Sequence, residues 1–210
     1  FGGDAYGIGI TIDDESTIPL RSTSINTLIT RADVSGKGIQ RVFDERKDLF
    51  CEHLNAYYAL KPKKRKDCLA LIQDGKLSAL HSGSYAIIPL KGIFEAIENY
   101  FEDSFSKYTL RSAYWSWEYS EVDYSIQDKY FEDVYNKLSS KYFEGSSKIR
   151  LRCISSDVAE AAVRMYPYLI VNDDKFIPLA GTTATRHYGE ANLSDVINNI
   201  KKTFISFEAS

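Results

Sequence analysis

The 210-residue chain carries 26 lysines and arginines against 29 aspartates and glutamates, for a formal net charge of −3, with 44% hydrophobic and 26% charged residues. That balance belongs to an ordinary globular protein: it excludes a low-complexity chain, gives no global attraction to nucleic acid, and contains no run near the ~18 apolar residues of a membrane span. Three cysteines, Cys51, Cys68 and Cys153, are odd in number and far apart, which argues against a disulfide framework and for a reducing cytoplasm. Fifteen tyrosines and eleven phenylalanines call for an aromatic core or an aromatic contact surface.

In chain order, a Gly-rich start gives way to the alternation Ile8, Ile10, Ile12, the pattern of an edge strand. Thr23 or Ser24 suits the cap of a short helix through Arg31, and apolar spacing from Gly38 to about Leu60 predicts one longer helix. Next comes a hairpin signal, Cys68 to Ile72 and Leu77 to His81 around Asp74-Gly75, because Gly accepts the positive φ of a tight turn. Tyr85 to Ile88 reads as a further strand ended by Pro89. Ile93, Phe94, Ile97 and Phe101 then recur at helical steps.

Lys107 to Asp123 holds no Gly or Pro and is crowded with aromatic residues, favouring one long strand or a hairpin. A helix from Ile126 to Tyr142 follows, then a half-buried strand over Lys148 to Ile154. Ala161 to Val171 tilts toward strand despite Pro167, with a turn at Asn172-Asp173-Asp174 and a returning strand over Lys175 to Ala180. Asn192 caps a last helix with the stripe Leu193, Val196, Ile197 and Ile200, and Asp195 lies three residues after the cap. The expected architecture is α+β: a largely antiparallel sheet with hairpins, packed by about four amphipathic helices. One domain over 1–210 accommodates it, with 1–37 as a candidate elaborated N-terminal segment.

Two basic features stand out. KPKKRK at Lys61, Lys63, Lys64, Arg65 and Lys66 has five cations in six residues, enough to grip a phosphate backbone, although such runs are commonly solvated loops. Lys148, Arg150 and Arg152 share one face of a strand; Arg111 and Arg164 join them if their strands are neighbours. The row makes a basic groove, or else pairs across strands with Glu118, Glu121 and Asp123. Trp115, Trp117 and Tyr119 share a predicted strand face, and such rings either stack bases or fill a core.

His53, His81 and His187 are isolated, and no CxxC or HxxxH occurs, so neither a metal nor a cofactor is expected. Ser156, Asp157 and His187 form the only hydrolase-like set and lack a diagnostic spacing; Asp and Ser there more often bond their own backbone. Catalysis is not indicated.

Two segments, GKLSALHSGSYAIIPLKGIFEAI at Gly75 to Ile97 and RCISSDVAEAAVRMYPYLIV at Arg152 to Val171, resemble the phage/plasmid-like proteins of the domain-of-unknown-function 932 type. These occur in phages, prophages and plasmids of Gram-positive bacteria. Relatives there carry a DGK-x-SAxHSG hairpin and a TSDxG-x-SGANLYPYL segment. Here Val158-Ala159 stands where the second motif has a glycine. The resemblance implies a mobile-element origin and an α+β fold, and brings no catalytic residues with it.

The expectation from these residues is a cytoplasmic accessory protein that binds nucleic acid, single-stranded DNA in replication or recombination. Its contacts would be the Lys61–Lys66 run, Lys148, Arg150, Arg152 and Arg111, with stacking by Trp115 or Trp117. The rival is a protein-binding modulator or inhibitor of a host defence factor. No membrane partner is expected, and a homo-oligomer is compatible with the sequence.

Overall fold

The computed structural model describes residues 7–12, 16–32, 34, 36–60, 68–105, 107–141, 144–158, 162–179, 182–187 and 189–208. They form an α+β protein whose sheets are antiparallel. The chain divides into two compact units, 1–85 and 86–210.

In 1–85, β1 (Gly9–Ile12) pairs antiparallel with β2 (Ser16–Pro19), and three helices follow: α1 (Ser22–Arg31), α2 (Lys37–Glu45) and α3 (Lys47–Leu60). The hairpin β3 (Cys68–Gln73) and β4 (Lys76–Ser82) closes the unit, with φ of 52° at Asp74 and 70° at Gly75, the type I′ geometry that Asp-Gly favours. Leu20, Ile25, Leu28, Phe43, Phe50, Leu54, Leu77 and Leu80 make its core.

Three expectations need correction here. The helix over 38–60 is broken at Arg46 (φ −144°, ψ 76°). The break costs no terminal bond, because the Arg46 N–H closes α2 on the Val42 carbonyl and the Arg46 carbonyl accepts from Phe50 to open α3. It also lets Phe43 and Phe50 meet edge to face at 5.0 Å. The cap of α1 is Arg21, not Thr23 or Ser24; both hydroxyls instead donate to carbonyls, Ser24 to Arg21 and Thr23 to Ser78. Residues 85–88 form no strand: the Ala86 N–H goes to the His187 carbonyl at 3.3 Å and no ladder runs through them.

In 86–210 the elements are α4 (Leu90–Ser104), β5 (Lys107–Trp115), β6 (Ser120–Gln127), α5 (Lys129–Ser139), β7 (Ser147–Ser155), β8 (Val163–Val171), β9 (Lys175–Pro178), β10 (Thr183–Thr185) and α6 (Leu193–Glu208). The strands make one antiparallel sheet in the order β5-β6-β7-β8, and β9 and β10 share the far edge of β8. Ile126 belongs to β6, and the following helix starts three residues later. Pro167 is tolerated inside β8 because it lies between Met165, the last residue paired to β10, and Tyr168, the first paired to β9, where no ladder asks for its missing N–H.

Period-two alternation sends Tyr124, Ile126, Ile149, Leu151, Cys153, Val163, Met165 and Leu169 to one face. There they pack on Ile93, Ile97 and Phe101 of α4, Tyr135 of α5, and Val196 and Ile200 of α6. Each such side chain contributes about 1.5–3 kcal/mol by leaving water. The entry to α6 carries a reciprocal cap: Asn192 Oδ1 accepts from the Ser194 N–H at 2.8 Å, and Asp195 Oδ2 accepts from the Asn192 N–H at 2.9 Å. Among the described residues no helix is long and apolar enough to cross a membrane.

Candidate functional site

The same alternation delivers the polar residues of β6, β7 and β8 to the opposite face, which no helix of the packed core covers. Glu121 and Asp123 of β6, Lys148, Arg150 and Arg152 of β7, and Arg164, Tyr166 and Tyr168 of β8 lie side by side there; Asp123 is opposite Arg152, which is opposite Tyr166.

Asp123 is the hub. Its side chain is only 6% exposed; Oδ1 is 3.7 Å from Arg150 Nη1 and Oδ2 is 3.4 Å from Arg152 Nη2. The Tyr168 hydroxyl also donates to Oδ2. Arg152 bridges on to Glu121, 3.3 Å from Nε, and lies over the Tyr168 ring at 5.5 Å from its centroid. Burial alone would lower the Arg152 pKa, but Glu121, Tyr168 and Asp123 more than offset it, so the guanidinium is held even more firmly charged. Burial first, then the bond to Asp123, pushes the Tyr168 hydroxyl up to about 12.

Arg152, Ile154, Tyr166, Pro167, Tyr168, Phe176, Pro178 and Thr182 line a groove of about 290 Å3. Phe176 stacks on Tyr168 with ring centroids 5.6 Å apart, yet is 62% exposed. A large ring left mostly in water, backed by a second ring and flanked by a guanidinium, is an arrangement that receives a planar group.

The sequence-derived candidates fall into three groups. Lys61, Lys63, Lys64, Arg65 and Lys66 lie outside the described residues. Lys148, Arg150 and Arg152 do share one face, and each has a carboxylate neighbour: Lys148 Nζ is 2.7 Å from Asp173 Oδ1. The hydrogen bond from Lys148 holds that carboxyl below its ordinary range, and the charges of Arg150 and Arg111 add to the effect; Arg111 itself lies at the irregularity of the β5–β6 pairing, between Leu110 and Ser112. Glu121 and Asp123 are therefore cross-strand partners of the row. Glu118 is not, and its carbonyl accepts from Ser156 instead.

Trp115 and Trp117 do not share a strand face. β5 ends at Trp115, and Ser116 Oγ accepts the N–H groups of Glu118 and Tyr119, which turns the chain at Trp117. Trp115 is 68% exposed and sits opposite Ser120, on the other side of the strand from Tyr114 and Glu121. Tyr166, Tyr168 and Phe176 were not singled out by sequence as ligand contacts. The signal was the alternation through Arg164, Tyr166 and Tyr168, which only strand order turns into a surface.

The hydrolase-like set is not presented as one. Ser156 is fully buried with its hydroxyl donated to a carbonyl, so no substrate reaches it. His187 is buried with Nδ1 3.2 Å from the Ala86 carbonyl; burial lowers its pKa, partly countered by that bond and by Asp157. Among the described residues no group of three or more His, Cys, Asp or Glu side chains is arranged to hold a metal ion.

Compared with models of known families, with curated proteins and with solved structures, the chain matches none.

Proposed function

We propose that the helix-free face of 86–210 binds single-stranded nucleic acid, in a protein serving a phage or plasmid. The observation that carries the reading is the half-open Phe176 ring beside Arg152 in the Tyr166–Tyr168 groove. Single-strand binding combines rings on which bases stack with cations that track the backbone, and stacking contributes about 1–3 kcal/mol per base. Arg111 and Arg164 supply cations outside the carboxylate pairs found among the described residues; Arg164 donates to the Tyr166 hydroxyl at 3.2 Å. The Lys61–Lys66 run adds charge elsewhere in the chain.

Fluorescence anisotropy with labelled single-stranded and duplex DNA, titrated against salt, tests the reading. Micromolar binding to the single strand that weakens as salt rises, and is weaker for duplex, is expected. No binding to the single strand at low salt overturns it.

A second reading, a protein partner such as a host defence factor, draws on the ion pairs themselves. With Lys148, Arg150 and Arg152 each facing a carboxylate, the middle of the face is close to neutral, which suits a protein surface better than a phosphate backbone. One stoichiometric protein retained from host lysate, together with no DNA binding, favours it.

A further inference from the structure

We propose that the free edge of β3 pairs with the β3 of a second copy of this chain, antiparallel about Ala70. The inference is independent of the nucleic-acid reading, since it rests on 1–85.

β3 reads Cys-Leu-Ala-Leu-Ile-Gln, six residues with no charge, proline or glycine. Among the described residues its only strand partner is β4. The far side of β4 is occupied, because Leu20 bridges to Leu77 and the Arg21 N–H donates to the Leu77 carbonyl at 2.9 Å. Among the described residues, the outer backbone donors and acceptors of β3 therefore have no strand to pair with, and most of its side chains are exposed: Leu69 is 40% and Ile72 46% exposed, and Cys68 and Ala70 are exposed with them.

Edges of soluble proteins are ordinarily blunted by charge, proline or bulges. The other long edge of this chain follows the rule: β5 carries Lys107 and Arg111, and its pairing to β6 shifts register between Leu110 and Ser112. β3 has neither device. Its own ladder also shifts, but Leu71 pairs with Ala79 and Ile72 with Leu77, so the extra residue, Ser78, is on β4 and the open edge stays regular. Among the described residues, the β5 edge is guarded and the β3 edge is left able to pair.

The strand itself indicates the occupant. A two-fold axis through Ala70 sets Leu69 against Leu71 and Cys68 against Ile72 of the other copy, apolar against apolar over residues 68–72, and leaves Gln73 beyond the paired span. Moving the axis to Leu71 instead sets Gln73 against Leu69 and Asp74 against Cys68. With no charge on β3, nothing selects a basic or acidic foreign strand over its own copy. Five paired residues on each copy fall under the ~1,200 Å2 of a standard interface, so the dimer is weak, dissociating on the order of 10–100 μM.

Sedimentation velocity of the full chain from 1 to 200 μM is expected to pass from monomer to dimer. Leu69→Lys removes the dimer while leaving the melting temperature within a degree or two; Ile72→Lys is the second variant should the first fail to fold. In a Cys68→Ser background, Ala70→Cys gives an oxidised dimer on a non-reducing gel, whereas a cysteine at the 77% exposed Leu60 does not. Monomer at every concentration, a dimer that survives both lysine variants, or equal cross-linking from both cysteines overturns the proposal.

Discussion

The Tyr168 hydroxyl donates to Asp123, a carboxylate almost sealed from solvent beneath Arg150 and Arg152. One buried negative charge thus fixes two guanidinium groups and a phenol on the sheet face opposite the one that α4, α5 and α6 cover. Breaking such a cluster by removing its acid costs more than its presence ever gained, because the two cations remain. Asp123→Asn is expected to lower the unfolding free energy by about 3 kcal/mol in urea titration. Tyr168→Phe, which removes one hydrogen bond, costs about 1–2 kcal/mol. Since both act on Oδ2, the double variant loses less than the sum of the two.

Phe176 separates function from fold. Its ring is mostly in water, so Phe176→Ala is expected to move stability by less than about 1 kcal/mol. On the nucleic-acid reading it weakens single-strand binding by roughly 5- to 100-fold, the loss of one stacked base. Anisotropy titration and a thermal melt on the same sample read both effects. An unchanged affinity would remove the groove from the binding surface.

The fold was far more legible in the sequence than the site. Asp74-Gly75 specifies its hairpin, the Lys148–Ile154 alternation its strand, and Asn192 with Asp195 the start of α6, because each signal is local. The interruption at Arg46 was not legible, since it answers to Phe43 meeting Phe50. Neither was the fate of the basic row: whether Arg150 and Arg152 meet phosphate or Asp123 depends on β6 lying beside β7, a fact of strand order. The aromatic groove is hidden for the same reason. Tyr168 and Phe176 are joined through the β8–β9 ladder, and no spacing in the chain marks them as a pair.

His187 supplies the pH dependence. Burial lowers its folded pKa below the ordinary 6.5, so the fold prefers the neutral imidazole. Its contribution to stability is therefore complete above about 6.5 and is lost as pH falls through the lower folded value. Burial raises the Asp157 pKa, and the charge of His187 only partly counters it. The melting temperature is expected to drop between pH 6.5 and 5, and His187→Gln to flatten that part of the curve while lowering the plateau above it. A wild-type curve that stays level from pH 7.5 to 5 would contradict the assignment.

Two glycines with equally open surroundings are expected to respond with opposite sign. A methyl group added at Gly75 or at Gly38 meets nothing within 4 Å, so neither substitution is a matter of packing. Gly75, however, sits at φ +70° in the β3–β4 turn, where an L side chain crowds its own backbone, whereas Gly38 lies in the first turn of α2 with no positive φ. Gly75→Ala should lower stability by about 1–2 kcal/mol. Gly38→Ala should raise it, by up to about 1 kcal/mol, through helix propensity and a less free unfolded chain. Urea midpoints at constant m-value measure both. Because the hairpin carries the β3 edge, Gly75→Ala also weakens the concentration-dependent dimer, while Gly38→Ala leaves its dissociation constant where it was.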